Sequence, residues 1–321
     1  RHPWIFSGAI HRITGDPAEG DVVDVLTAEG DFIARGHYQI GSISLRVLTF
    51  RQEEVIDDAW WQDRLQKAYA LRRTLALTDN PATDCYRLVH GEGDNLPGLI
   101  IDIYGSTAVM QCHSVGMYRS REIICSTLRS LYGDRLRAVY DKSSGTVPFK
   151  AGLDAQDQYL WGGSQDEPVL ENGNRFRISW EEGQKTGFFI DQRDNRTLVG
   201  RYAQGRTVLN TFSYTGGFSV YALRGGALSV DSVDSSETAT RLAARNAELN
   251  FGPDAPHHAI TADVFDFLRG IDDRYDLIIL DPPAFAKHHK ALGNALQGYK
   301  RLNARAIQQI RPGGILFTFS C

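Results

Sequence analysis

The sequence predicts a multi-domain chain: a small all-β barrel, then a central α+β domain, then an α/β domain with a mostly parallel sheet. Three observations carry that reading. Residues 42–49 alternate Ile43, Leu45 and Val47 with Ser42, Ser44 and Arg46, the period of a half-buried strand, and closely spaced glycines around them suit a barrel. From residue 206 onward short apolar runs alternate with longer segments of helical period, which requires crossover connections between parallel strands. Between these regions strand and helix patterns mix without a regular order. The boundaries fall at 1–60, 61–165 and 166–321.

Bulk properties narrow the function. A chain of 321 residues, 42% hydrophobic and 23% charged, has material for sizeable cores and is neither disordered nor fibrous. Its formal charge of −4 excludes nucleic-acid binding by bulk charge, so any such contact is a local patch. No apolar run approaches the roughly 20 residues of a membrane helix. Cys85, Cys112, Cys125 and Cys321 are too few and too scattered for a disulfide scaffold, and a reducing cytoplasm is expected. Cys112 and His113, adjacent in a strand, point to opposite faces and so make a poor metal pair; no metal is expected. An opening at Arg1 without a leader pattern, and Cys321 directly behind an apolar run, read as the two ends of a fragment.

In chain order, Gly15, Gly20, Gly30, Gly36 and Gly41 mark the turns of the barrel. Behind Asp57 and Asp58, Trp61, Leu65, Ala68, Leu71 and Leu75 recur at helical spacing and predict a capped amphipathic helix. In the middle region the turn 95–98 precedes a strand at 99–104, residues 119–131 have helical spacing, and 162–167 read as a linker. The last domain is expected as strand 207–211, helix from 217, strand 228–233, helix 237–249, strand 259–261, helix 264–268, strand 277–280, helix 292–310 and strand 315–319. Leu292, Leu296, Tyr299, Leu302, Ala306 and Ile310 form the apolar stripe of its last helix.

In an open α/β sheet, ligands sit beyond the carboxyl ends of the strands. The first strand runs into Phe212-Ser213-Tyr214-Thr215-Gly216-Gly217, where glycines let backbone approach a ligand at a helix start. This is neither Gly-x-Gly-x-x-Gly nor a phosphate loop, which disfavours a dinucleotide oxidoreductase. The second strand ends at Asp234-Ser235, where an acid can accept both ribose hydroxyls of an adenosine; the third leads to Asp263, placed for an adenine amino group. Each acid alone reads as a helix cap; three features in register favour a pocket, and their order resembles the S-adenosylmethionine pocket of class I methyltransferases. The fourth strand ends in Asp281-Pro282-Pro283-Ala284-Phe285, a stiffened loop whose acid can hydrogen-bond a flipped base. Pro282, Pro283 and Phe285 are assigned to the substrate, and Lys287 and Lys290 to its phosphates. The fifth strand ends at Cys321. Carbon 5 of a pyrimidine is too weak a nucleophile to take a methyl group unaided, and a thiolate adding to carbon 6 activates it. Upstream, the polar and aromatic stretch 183–196 reads either as a functional loop or as a helix capped at Asp191; Gln192 from it, and Asp281, are counted with the cofactor residues.

With these residues in view the chain resembles the bacterial 23S ribosomal RNA cytosine-carbon-5 methyltransferases with an N-terminal PUA domain. The likeness rests on 1–8, Gly91-Glu92-Gly93-Asp94 with Leu96-Pro97-Gly98-Leu99, Lys185-Thr186-Gly187 through Asp191-Gln192-Arg193, 212–218, Asp281-Pro282-Pro283 and Ser320-Cys321. It implies a PUA barrel that docks RNA, a class I domain lacking its C-terminal strands, S-adenosylmethionine as methyl donor, 23S ribosomal RNA as partner, and Cys321 and Asp281 as catalytic residues. Oligomeric state, homodimer included, is left open. Two rivals remain: the same fold methylating a guanine nitrogen, and a module that binds RNA and cofactor without turnover.

Overall fold

The computed structural model describes residues 2–148, 152–286 and 292–320. The chain divides into two compact units, one of residues 1–170 with 179–188, the other of 171–178 with 189–321.

The first unit opens with β1 (Trp4–Phe6), β2 (Val22–Leu26), β3 (Phe32–Tyr38) and β4 (Ile43–Thr49), antiparallel in the order β1-β4-β3-β2. Gly15, Gly20, Gly30 and Gly41 adopt positive φ at turns. Gly36 does not mark a turn: it lies inside β3 at a register shift, and a Cβ there would stand 2.1 Å from the Arg46 carbonyl oxygen. It is a close-approach glycine of a bulge.

Helix α1 (Asp58–Thr74) is capped by Asp57, whose carboxylate accepts from Trp60 N at 3.0 Å. Its expected stripe is only partly right. Trp61, Leu65 and Ala68 are buried, but Leu71 and Leu75 are exposed, and Trp60, Tyr69 and Arg72 are buried in their place. Arg72 belongs inside because Asp94 pairs with its guanidinium and the Arg87 carbonyl accepts from its Nε at 2.8 Å, so the hydrophobic period missed a buried charge that is paired.

A five-stranded sheet follows: β5 (Cys85–His90), β6 (Leu99–Tyr104), β7 (Thr107–Cys112), β8 (Ala138–Asp141) and β9 (Gln158–Trp161), in that spatial order. The helical segment expected at 119–131 is α3 (Arg121–Tyr132), preceded by the short helix α2 (Val115–Arg119) and a break at Ser120. Cys112 is fully buried and His113 is exposed. Among the described residues no cluster of three His, Cys, Asp or Glu could hold a metal ion, and no helix is long and apolar enough to cross a membrane.

A short hairpin, β10 (Val169–Glu171) and β11 (Asn174–Phe176), leads to the second unit's α4 (Arg193–Tyr202). Then strands and helices alternate as the pattern required: β12 (Thr207–Thr211), α5 (Gly217–Arg224), β13 (Ser229–Asp234), α6 (Glu237–Phe251), β14 (His257–Thr261), α7 (Val264–Phe267), β15 (Leu277–Leu280), α8 (Leu292–Gln309) and β16 (Ile315–Thr318). All five strands are parallel, in the order β14-β13-β12-β15-β16. Alternation along a strand explains the layers. Leu277 and Ile279 of β15 pack with Val199, Phe218 and Ala222, whereas Ile278 and Leu280 pack with Val264, Leu302 and Ala306 on the opposite face. The stripe of α8 needs one correction: Leu292 and Leu296 are 46% and 59% exposed, and Ala295 and Gly298 are buried instead.

Candidate functional site

The parallel register sets where chemistry can gather. Thr211 lies opposite both Val233 and Leu280, Asp234 opposite Thr261, and Leu280 opposite Thr318. The loops after the strands therefore start side by side, and the strand order reverses at β12, where α/β sheets open a crevice.

The loop after β12 is held in a conformation that side chains rarely adopt. Phe212 and Tyr214 have φ of 52° and 45°, and Gly216 has 77°. Such left-handed residues persist only where the surroundings enforce them. Here Ser213 N donates to the Val233 carbonyl at 3.1 Å, Gly216 N to the Ser213 carbonyl at 2.8 Å, and Asn246 Nδ2 to the Thr215 carbonyl at 2.9 Å. Tyr214 N donates to Asp234 Oδ2 at 3.0 Å. Glycine at 216 is needed twice over, since a Cβ there would also meet the Ala243 Cβ at 2.9 Å. The result is a backbone cradle ending at the start of α5.

Asp234 thus ties two loops together; its Oδ1 accepts from Ser236 N at 2.9 Å. The cap of α6 is Ser236, which accepts from Ala239 N at 3.3 Å, and Ser235 beside it is exposed. Asp263 caps α7 by accepting from Asp266 N at 3.0 Å with Oδ1. Capping uses one oxygen of this carboxylate.

Two buried polar atoms, one in this loop and one in the strand before it, test the fit with a polar cofactor. Ser213 Oγ and Asn210 Oδ1 are buried, and among the described residues neither has a hydrogen-bond partner. Buried polar atoms in folded proteins are nearly always paired, so these two call for a ligand or ordered water. Ser213 of the loop 212–217 therefore fits a polar ligand.

Past β15, Asp281 is half-buried and Gln192 Nε2 donates to its Oδ1 at 3.2 Å. Burial, with the nearby Asp191 charge adding to it and Arg196 opposing, pushes the Asp281 carboxyl up to about 6. Pro282 is buried, Pro283 exposed, and the half-buried Phe285 ring lies 4.6 Å from that of Tyr299 and 6.1 Å from that of Phe265.

Sequence reasoning missed the support beneath Gln192. Glu171 is fully buried and accepts from Arg196 through Nε at 2.8 Å and Nη2 at 2.7 Å, from Arg193 Nε at 3.2 Å and from the Tyr221 hydroxyl at 3.0 Å. Arg196 also donates to the Phe189 carbonyl at 2.9 Å. This buried ion cluster fixes the segment that delivers Gln192 to Asp281. Asp191 does not cap α4: the residue before that helix is Gln192, and it makes no side-chain cap bond. The clue in the sequence was Arg193 and Arg196 on one helical face, but their partner Glu171 is 22 and 25 residues away. Lys287, Lys290 and Cys321 lie outside the described residues.

Comparison with known proteins adds three findings. Residues 153–321 match the family of S-adenosylmethionine-dependent methyltransferases, and residues 1–50 match the PUA-like domain. Ribosomal RNA large subunit methyltransferase I of Yersinia pseudotuberculosis is 42% identical to the chain over 327 aligned positions, spanning all of it and 82% of the relative; the Yersinia pestis protein of that name gives the same values. Among solved structures, one assigned as a methyltransferase and complexed with SAH superposes with a TM-score of 0.80 at 26% identity, over 98% of this chain and 80% of that one. A second, assigned as an S-adenosylmethionine-dependent methyltransferase from Streptococcus mutans, gives 0.77 at 25% identity over the same shares.

Proposed function

We propose that this chain, which belongs to the S-adenosylmethionine-dependent methyltransferase family, methylates carbon 5 of a cytosine in the 23S ribosomal RNA of the large subunit. The substrate class follows from relatives named for large-subunit ribosomal RNA that match the chain from end to end. The observation that carries the carbon-5 chemistry is Cys321, directly after the β16-Phe319-Ser320 run, because methylation of a guanine nitrogen needs no thiol.

When bound, S-adenosylmethionine supplies an electrophilic methyl group; the loop 212–217, Asp234 with Ser235, Asp263 and Gln192 hold it. The other steps belong to the chain and the base. The Cys321 thiolate adds to carbon 6 of a flipped cytosine, which makes carbon 5 the nucleophile. Asp281, with its carboxyl raised to about 6 by burial, holds the polar edge of the base and lends it a proton, which favours the addition. After methyl transfer a solvent water takes the carbon-5 proton, the freed electron pair expels the thiolate from carbon 6, and the lent proton returns to Asp281, so that Cys321 and Asp281 are regenerated. Pro282, Pro283 and Phe285 shape the base site, while Lys287 and Lys290 contact phosphates and the PUA-like domain docks the RNA in the cytoplasm.

RNA in which 5-fluorocytosine replaces cytosine tests the reading. With methyl donor present the protein should form an adduct that survives denaturation, because the carbon-5 fluorine cannot leave as a proton does. Cys321→Ala should abolish adduct and product and leave cofactor affinity intact. Full turnover by Cys321→Ala would overturn covalent catalysis and favour the guanine-nitrogen reaction.

A further inference from the structure

Between α8 and the end of β16 the second unit holds a cavity of about 450 Å³, lined among others by Ala286, Leu296, Tyr299, Asn303, Phe319 and Ser320. Small-molecule sites usually enclose roughly 300–1,000 Å³, so a nucleobase with its ribose fits.

Three features mark the cavity as built for a ligand. Leu292 and Leu296 continue the apolar stripe of α8 and yet stay exposed, because they form its rim instead of joining the core. The Tyr299 hydroxyl oxygen is buried and has no hydrogen-bond partner among the described residues. A buried phenol without a partner is costly, and the cost disappears when a ligand supplies an acceptor. The ring also packs against Phe285, whose centroid lies 4.6 Å from its own. The surrounding chain places this donor among the strand ends already singled out. Ala286 continues the Asp281-Pro282-Pro283 loop, and Ser320 is the residue before Cys321.

We infer that this cavity receives the flipped cytosine and that the Tyr299 hydroxyl donates a hydrogen bond to the carbonyl oxygen at its position 2. The Tyr299 ring supplies aromatic surface beside the base, and Asp281 is left to hold the edge that carries the amino group. The inference rests on the cytosine reading above and adds a binding residue to it.

The test uses the full chain, ribosomal RNA and labelled methyl donor, with the methylated nucleoside identified by mass spectrometry. Tyr299→Phe keeps the ring and removes only the unpaired hydroxyl. It should raise the KM for RNA about tenfold, the loss of one hydrogen bond, with kcat within about twofold and cofactor affinity unchanged. Its thermal stability should equal or exceed that of the wild type. Leu296→Trp fills the cavity from its exposed rim; it should abolish RNA methylation while cofactor binding and melting temperature hold. Wild-type constants for both variants, with 5-methylcytosine still the product, would overturn this inference and leave the cytosine reading standing. A methylated guanine as the wild-type product would remove both, and the product analysis shows which of the two has failed.

Discussion

Replacing Asp281 with Asn should stabilise the folded protein at neutral pH even as it damages the reaction. The Asp281 carboxyl is pushed from its ordinary 3.8 up to about 6, chiefly by burial and secondarily by the Asp191 charge, with Arg196 opposing. An acid whose pKa is higher in the folded state binds more protons folded than unfolded between those two values. Its stabilising contribution is therefore complete below the unfolded value and lost as pH rises through the folded one. A shift of about two units at roughly 1.4 kcal/mol each sets a ceiling near 3 kcal/mol. Because the side chain is only half-buried, screening by solvent reduces the expectation to about 1–2 kcal/mol. The amide keeps an oxygen for Gln192 Nε2, which now donates to Oδ1 at 3.2 Å, so the substitution isolates the charge. Urea denaturation of both proteins should show the Asn variant ahead at about pH 8, with the gap closing near pH 4. A gap of equal size at both pH values, or a less stable Asn variant at the higher one, would refute the argument.

Three further outcomes follow from the same geometry. Arg196→Met leaves the fully buried Glu171 without its bidentate partner and should cost about 3–5 kcal/mol in chemical denaturation; adding Glu171→Gln should recover part of that. Gly216→Ala forces an alanine to φ 77° and its Cβ to within 2.9 Å of Ala243 Cβ, which should lower stability by about 2–4 kcal/mol from left-handed strain and overpacking together, measured by thermal melting. Asp234→Ala releases Tyr214 N and Ser236 N and strips the crevice of an acceptor, so titration calorimetry should show S-adenosylmethionine binding weakened by about 1–3 kcal/mol.

The alternating part of the chain was legible because each parallel strand is a short apolar run with a sharp end: β12 and β15 begin and finish where the pattern placed them. The glycine-rich loop and the acids after the strands could be found for the same reason, since a strand end locates its loop. Periodicity failed where a side chain is buried for a reason other than hydrophobicity. Arg72 is inside because of Asp94, and Leu71 is outside because that face of α1 meets solvent. It failed again at Leu292 and Leu296, which carry a core pattern and line a cavity. The Glu171 cluster was hidden because its hydrogen bonds join residues 22 to 50 positions apart, beyond any local pattern. Tyr299 stood in the expected stripe as one more apolar residue; only its unpaired hydroxyl sets it apart.

The reversal of strand order at β12 has a consequence for how such a protein can change. Loops that follow β12, β13 and β14 form one side of the crevice, and those that follow β15 and β16 form the other. The residues assigned to the cofactor lie mostly on the first side, and those assigned to the base lie on the second. Apart from Gln192, which bonds Asp281, the two groups belong to different stretches of chain, 212–263 and 281–321, so mutations can accumulate in one with little effect on the other. If the proposed thiol mechanism holds, a lineage could exchange it for direct attack by a ring nitrogen by altering the ends of β15 and β16 while the proposed donor pocket was kept. For directed evolution the same partition gives a short target: randomising positions after residue 281 explores new acceptors on a conserved donor platform.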